Sequence, residues 1–171
     1  MPRFEPNPVR RPTLISGASS GIGAATAQAL AGLGHPIALG ARRVSECEAI
    51  AEKIRADGGA AFAHLLDVTD TASVDEFVTA AEAALGPIEI GVSGAGDIEF
   101  GGADRMDPAA FARQIDVHLV GAQRIAHRVL PGMRARRRGD FVLIGSDCAD
   151  RQRPMMGAYD AAKAGLEAMG R

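Results

Sequence analysis

The chain has no tryptophan, one tyrosine, two cysteines and two lysines in 171 residues. Cys47 and Cys148 fit neither a disulfide framework nor a zinc site. They read as reduced thiols, the usual state in a cytoplasmic protein. His35, His64 and His127 show no metal-ligand spacing, so no metal is expected. No apolar run approaches the length of a membrane span, and the N-terminus lacks a signal-peptide pattern. Charge of one sign is also missing. A formal charge of −2 argues against a nucleic-acid or membrane-surface partner. The one basic cluster, Arg134 with Arg136 to Arg138, falls at a predicted helix C-terminus, where cations complement the dipole.

What is present is apolar: 47% of the residues are hydrophobic, enough for one domain with a substantial core. Alanine is abundant, which suits closely packed helices. Four prolines and three arginines within residues 1–12 predict an extended, disordered arm. From Thr13 to Arg171 strands and helices alternate. Strands are expected at 13–16, 36–41, 60–66, 88–93 and 141–144. Helices are expected at 22–33, up to residue 56, at 74–85 and from Ala158. Ser45-Glu46-Cys47-Glu48 has capping-box spacing for the second helix, and Gly58-Gly59 stops it. Asp107-Pro108 opens a long helix, 109–136, with a bend expected at Pro131-Gly132. This alternation implies βαβ units: a doubly wound, parallel Rossmann-type sheet in three α/β/α layers.

Gly17-Ala18-Ser19-Ser20-Gly21-Ile22-Gly23 lies between the first strand and the first helix. Glycines permit a tight turn and let backbone approach a pyrophosphate, whose charge a helix N-terminus favours. In this context the turn predicts nucleotide binding. After the second strand, an acidic residue would select NAD by binding the ribose. Here Arg42 and Arg43 follow instead, and guanidiniums suit a 2′-phosphate, so NADP(H) is preferred. Tyr159 and Lys163, four residues apart on a predicted helix, share one face. A positive charge beside a phenol favours phenolate, making an acid–base group usable near neutral pH. Spacing alone equally allows a surface neighbour pair.

With these motifs in this order, the chain resembles the short-chain dehydrogenase/reductase family, in its compact single-domain branch. The resemblance runs from Thr13 to the last residue. It implies hydride exchange between NADP(H) and a carbonyl or secondary alcohol. Ser146, thirteen residues before Tyr159, would hold the carbonyl, although by itself it also reads as a turn serine. Tyr159 would act as general acid or base. Lys163 would favour its phenolate and hold the nicotinamide ribose. The resemblance also gives the adenine edge to Asp67 and the Val68 N–H, and a close backbone approach to Ala95-Gly96.

Three departures stand out. Ser16 replaces the usual threonine. Ser93-Gly94 replaces two asparagines, removing amide side chains expected to brace the sheet. His118 stands where the family has an asparagine that helps hold a water, and reads equally as a proton relay or as a packed helix residue. The family's two further strands and substrate-covering segment would follow the final helix, so the fifth strand is expected at an exposed edge. A non-catalytic dinucleotide-binding fragment is the alternative. A cytoplasmic homo-oligomer is expected if the full family fold is present.

Overall fold

The computed structural model describes residues 9–171. Five strands, β1 (Thr13–Ser16), β2 (Ile37–Ala41), β3 (Ala61–Leu65), β4 (Ile90–Ser93) and β5 (Asp140–Leu143), form one sheet. Its order is β3-β2-β1-β4-β5, and every neighbouring pair is parallel. The helices are α1 (Gly21–Gly32), α2 (Val44–Ala56), α3 (Thr71–Leu85), α4 (Pro108–Ile115), α5 (Gly121–Arg136) and α6 (Gly157–Gly170). Successive strand residues point to opposite faces. Leu14 and Ala38 therefore join a core with Phe77 of α3 and Ile125 of α5. Ile15, Ile37 and Leu39 join another with Ala27 of α1 and Ile50 of α2. The doubly wound, three-layer architecture is as expected. β5 lies at the edge of the sheet, with Val142 exposed.

Asp70 and Asp107 cap α3 and α4 by accepting from the N–H groups of Ala72 and Ala109. The capping box expected at Ser45 does not form. Helix α2 starts at Val44 with Arg43 as its N-cap, two residues earlier than a Ser45 cap requires, so Ser45 already lies in its first turn. Its hydroxyl there donates to the Glu46 carboxylate at 2.8 Å. The long helix is also irregular in an unexpected place. Between α4 and α5, Asp116–Val120 forms a π turn, with the Gly121 N–H bonded to the Asp116 carbonyl. Pro131 simply lies inside α5.

Most of the expected N-terminal arm, residues 1–8, lies outside the described residues. Arg11 and Pro12 do not belong to a free arm. Arg11 pairs with Glu89 at 3.2 Å and with Asp140 at 2.6 Å. The Pro12 carbonyl accepts from the N–H groups of Glu89 and Ile90. Composition suggested disorder, but two carboxylates brought near by the sheet hold the arginine. Among the described residues, no helix is long and apolar enough to cross a membrane.

Candidate active site

The carboxyl ends of the strands open into a cleft of about 610 Å³. Ser16 and Ser93 end β1 and β4 side by side, level with Gly40, one residue before the end of β2, so three turns leave the sheet close together. From the first turn, Gly17, Ser19, Ser20, Ile22 and Gly23 line the cleft. A Cβ on Gly17 would sit 2.7 Å from the Gly94 carbonyl oxygen, and one on Gly23 would sit 2.3 Å from the Gly17 carbonyl oxygen. Backbone packs on backbone here. Gly21 does not line the cleft. Its φ of 56° is what the turn needs. Ser20 caps α1 without a side-chain bond, and the first turn carries no acid. The helix's free N–H groups therefore face a cradle that suits a phosphate.

Arg42 and Arg43 enter the cleft after β2. One nitrogen of Arg43, Nη2, donates to the hydroxyl oxygens of Ser19 at 3.0 Å and Ser20 at 2.8 Å. That holds its guanidinium over the glycine turn. Asp67 and Val68 line the cleft after β3. Oδ1 of Asp67 accepts from the Thr69 hydroxyl at 2.7 Å and the Thr69 N–H at 2.9 Å. Those two bonds, with Arg42 and Arg124 adding charge, hold the Asp67 carboxyl below the usual carboxylate range. Behind it, Arg124 donates to the Val68 carbonyl at 3.0 Å and pairs with Asp116 at 2.8 Å. Gly121 lets α5 approach Val68, since a Cβ there would lie 2.8 Å from Val68 Cγ2.

Gly94, Ala95 and Gly96 form the cleft wall after β4. This wall is braced from β1. The buried Ser16 hydroxyl accepts from the N–H groups of Gly94 at 3.1 Å and Ala95 at 3.3 Å.

Beyond this wall stand the acid–base candidates. Lys163 is buried, and its Nζ donates to the Ile144 carbonyl at 2.6 Å, just past β5. The same Nζ lies 5.6 Å from the Tyr159 ring centroid. Burial pushes the Lys163 pKa down. The His118 ring meets Tyr159 edge-on, with centroids 5.1 Å apart at 89°. Because its Nε2 lies 2.6 Å from the Asp97 carbonyl, Nε2 carries the proton. Nδ1 is buried without a partner. Ser146, two residues beyond Ile144, accepts from the Cys148 N–H at 3.2 Å and donates to Asp147 Oδ1 at 3.5 Å.

The family model described as short chain dehydrogenase matches residues 11–171. The chain belongs to this family. A putative ketoacyl reductase of the monensin polyketide synthase from Streptomyces virginiae is 40% identical over 91% of the chain. The 3-oxoacyl-[acyl-carrier-protein] reductase MabA of Mycobacterium bovis is 34% identical over 95%. The chain spans 60% and 62% of these two curated relatives' length. Among solved structures, an alcohol dehydrogenase from the archaeon Thermococcus sibiricus, complexed with 5-hydroxy-NADP, superposes with a TM-score of 0.89 at 33% identity. That match covers 94% of this chain and 68% of the other.

Within this short-chain dehydrogenase fold, the expected nucleotide residues other than Gly21, Tyr159 and Lys163 line one cleft. Tyr159, Lys163 and His118 form a second group beside it. Ser146 is linked to that group through the backbone that runs from Ile144. Ser16, Gly121 and Arg124 support the cleft, and the sequence shows none of the three contacts. Ser16 and Gly94 meet across 78 residues, Arg124 and Val68 across 56.

Burial is the main reason that the His118 pKa lies below the usual histidine value, and Lys163 and Arg113 push it the same way. The Asp97 carbonyl bond and carboxylate oppose them. An unfolded histidine takes up a proton near pH 6.5, whereas folded His118 does so only at lower pH. The folded state therefore binds fewer protons, and stability contributed by this group is lost as pH falls below about 6.5. Asp67 and Asp147, with lowered values, lose their stabilising contribution only as pH falls below about 4. The thermal midpoint is expected to fall between pH 7 and 5, less steeply in His118→Asn. A midpoint difference between the two that is constant with pH would contradict a buried neutral ring.

Proposed function

We propose that the chain is an NADP(H)-dependent oxidoreductase acting between a carbonyl and a secondary alcohol. The observation that carries this is the position of Tyr159. It packs on His118, lies 5.6 Å from the Lys163 ammonium, and stands beside a cleft shaped for a dinucleotide. When bound, the cofactor supplies or accepts the hydride. Everything else falls to side chains. In reduction, Tyr159 Oη gives its proton to the carbonyl oxygen. The Lys163 ammonium, 5.6 Å from the ring centroid, places a positive charge near the oxygen that loses the proton. The Ser146 hydroxyl donates to the same carbonyl oxygen. Its present bond to Asp147, at 3.5 Å, is long and weak, so the proton is free to turn to a substrate. In oxidation the steps reverse, with Tyr159 as base.

His118 holds the Tyr159 ring by packing. Its one ring proton is committed to the Asp97 carbonyl, which favours packing over a relay. A cytoplasmic homo-oligomer belongs to the same reading.

NADP(H) over NAD(H) rests on Arg43, which the two serines of the glycine turn hold in place. A charge-assisted hydrogen bond contributes about 1.5–3 kcal/mol, and the exposure of Arg43 puts it at the lower end. Arg43→Ala should therefore weaken NADPH binding about tenfold and leave NADH binding unchanged, as read by nucleotide fluorescence. Equal losses for both nucleotides would count against 2′-phosphate recognition. A second reading, NADPH binding without turnover, is favoured by the Ser146 hydroxyl being bonded to Asp147 and Cys148. Bound NADPH that stays unoxidised with ketones and aldehydes would favour that second reading.

A further inference from the structure

Arg153 touches the sequence neighbours of two residues assigned to the chemistry. Its guanidinium pairs at 2.6 Å with Asp147, next to Ser146. Its backbone N–H donates at 3.0 Å to Oδ2 of Asp160, next to Tyr159. These two arms differ in strength. The Asp147 pair is exposed, with side chains 64% and 57% accessible, and such pairs are weak. Asp160 is 5% exposed, so its bond is shielded from competing water.

Between the arms the chain takes a conformation that local sequence does not favour. Met155 has a φ of 65°, unusual for a residue other than glycine. Such a residue persists where its surroundings hold it. The Met155 carbonyl accepts from the Gly101 N–H at 2.9 Å, and Met156 bridges Gly101 as a parallel pair. The Met156 carbonyl accepts from the Asp160 N–H at 2.8 Å. The 151–156 loop is thus tied to α6 at Asp160, to the segment beyond β4 at Gly101, and to the turn after β5 at Asp147. Oδ1 of Asp160 is buried and has no partner among the described residues, so the bond at Oδ2 is the one that ties this side chain to the loop.

We propose that Asp160 is a positioning residue. By holding the Arg153 N–H it sets the 151–156 loop, and through that loop the placement of Ser146 and of the Gly101 segment relative to Tyr159. The effect on turnover rests on the oxidoreductase reading. The effect on the loop does not.

The test uses Asp160→Ala and Asp160→Asn in the 171-residue chain. In the alanine variant, amide hydrogen exchange at Arg153 and at Gly101 should rise about tenfold, while α1 to α3 keep their protection. NADPH affinity should stay within about twofold, since the loop does not line the nucleotide cleft. With a carbonyl substrate, kcat/KM should fall about tenfold to a hundredfold. Asparagine keeps an acceptor oxygen and should restore both readouts to within about threefold. If the alanine variant does not fold, Asp160→Leu, similar in shape to asparagine without the acceptor, takes its place. Unchanged exchange at Gly101, or an asparagine variant no better than alanine, would overturn the assignment. If the wild type turns over no carbonyl, the oxidoreductase reading fails, and exchange at Gly101 alone decides the role of Asp160.

Discussion

Tyr159→Phe is expected to lower carbonyl turnover by about 10²–10⁴-fold while NADPH still binds. The substitution removes one oxygen and keeps the ring, so the edge-on packing against His118 survives. Lys163 keeps its bond to the Ile144 carbonyl, and the cleft wall keeps its braces. What disappears is the only phenol in the chain. Carbonyl reduction then lacks the hydroxyl assigned as proton donor, and water supplies the proton more slowly. Steady-state NADPH consumption separates this outcome from a loss of binding. A Tyr159→Phe variant with undiminished kcat would move the acid elsewhere, with Ser146 the next candidate.

The second large effect is expected from Gly23→Ala, which should weaken NADPH binding by about a hundredfold or more. A methyl group there would meet the Gly17 carbonyl oxygen at 2.3 Å and its carbon at 2.9 Å. Both are backbone atoms, so no flexible side chain can move aside. Either the glycine turn lifts away from α1 or the helix start unwinds. Each removes the N–H groups that would face a phosphate. Gly21→Ala is the natural comparison. It meets no atom within 4 Å and strains only a φ of 56°, at a cost of about 1 kcal/mol in backbone conformation. Its effect on affinity should be smaller by an order of magnitude or more. Equal effects of the two substitutions, measured by nucleotide fluorescence, would show that packing at Gly23 does not shape the cradle.

The order of strands and helices was legible because apolar periodicity and turn residues act locally. The glycine turn and the Tyr159–Lys163 pair were legible for the same reason, since each is short and contiguous. Features set by contacts across the fold were not. Arg11 looked like part of a disordered arm until the sheet brought Glu89 and Asp140 beside it. The loss of two asparagines suggested a looser wall, yet the Ser16 hydroxyl, 78 residues from Gly94, supplies a brace. The π turn at Asp116–Val120 had no local signal either. It carries His118, buried against Tyr159, whereas the local pattern left a relay and a packed ring equally open.

The most direct measurement follows label rather than absorbance. NADPH deuterated at the transferable position is mixed with the chain and a panel of aliphatic and aryl ketones, with NADPH binding checked by fluorescence in the same samples. The expected result is an alcohol carrying one deuterium on the former carbonyl carbon, formed about 10²–10⁴-fold more slowly by Tyr159→Phe. Bound NADPH that transfers no deuterium to any member of the panel, or equal transfer by both proteins, would contradict hydride chemistry centred on Tyr159.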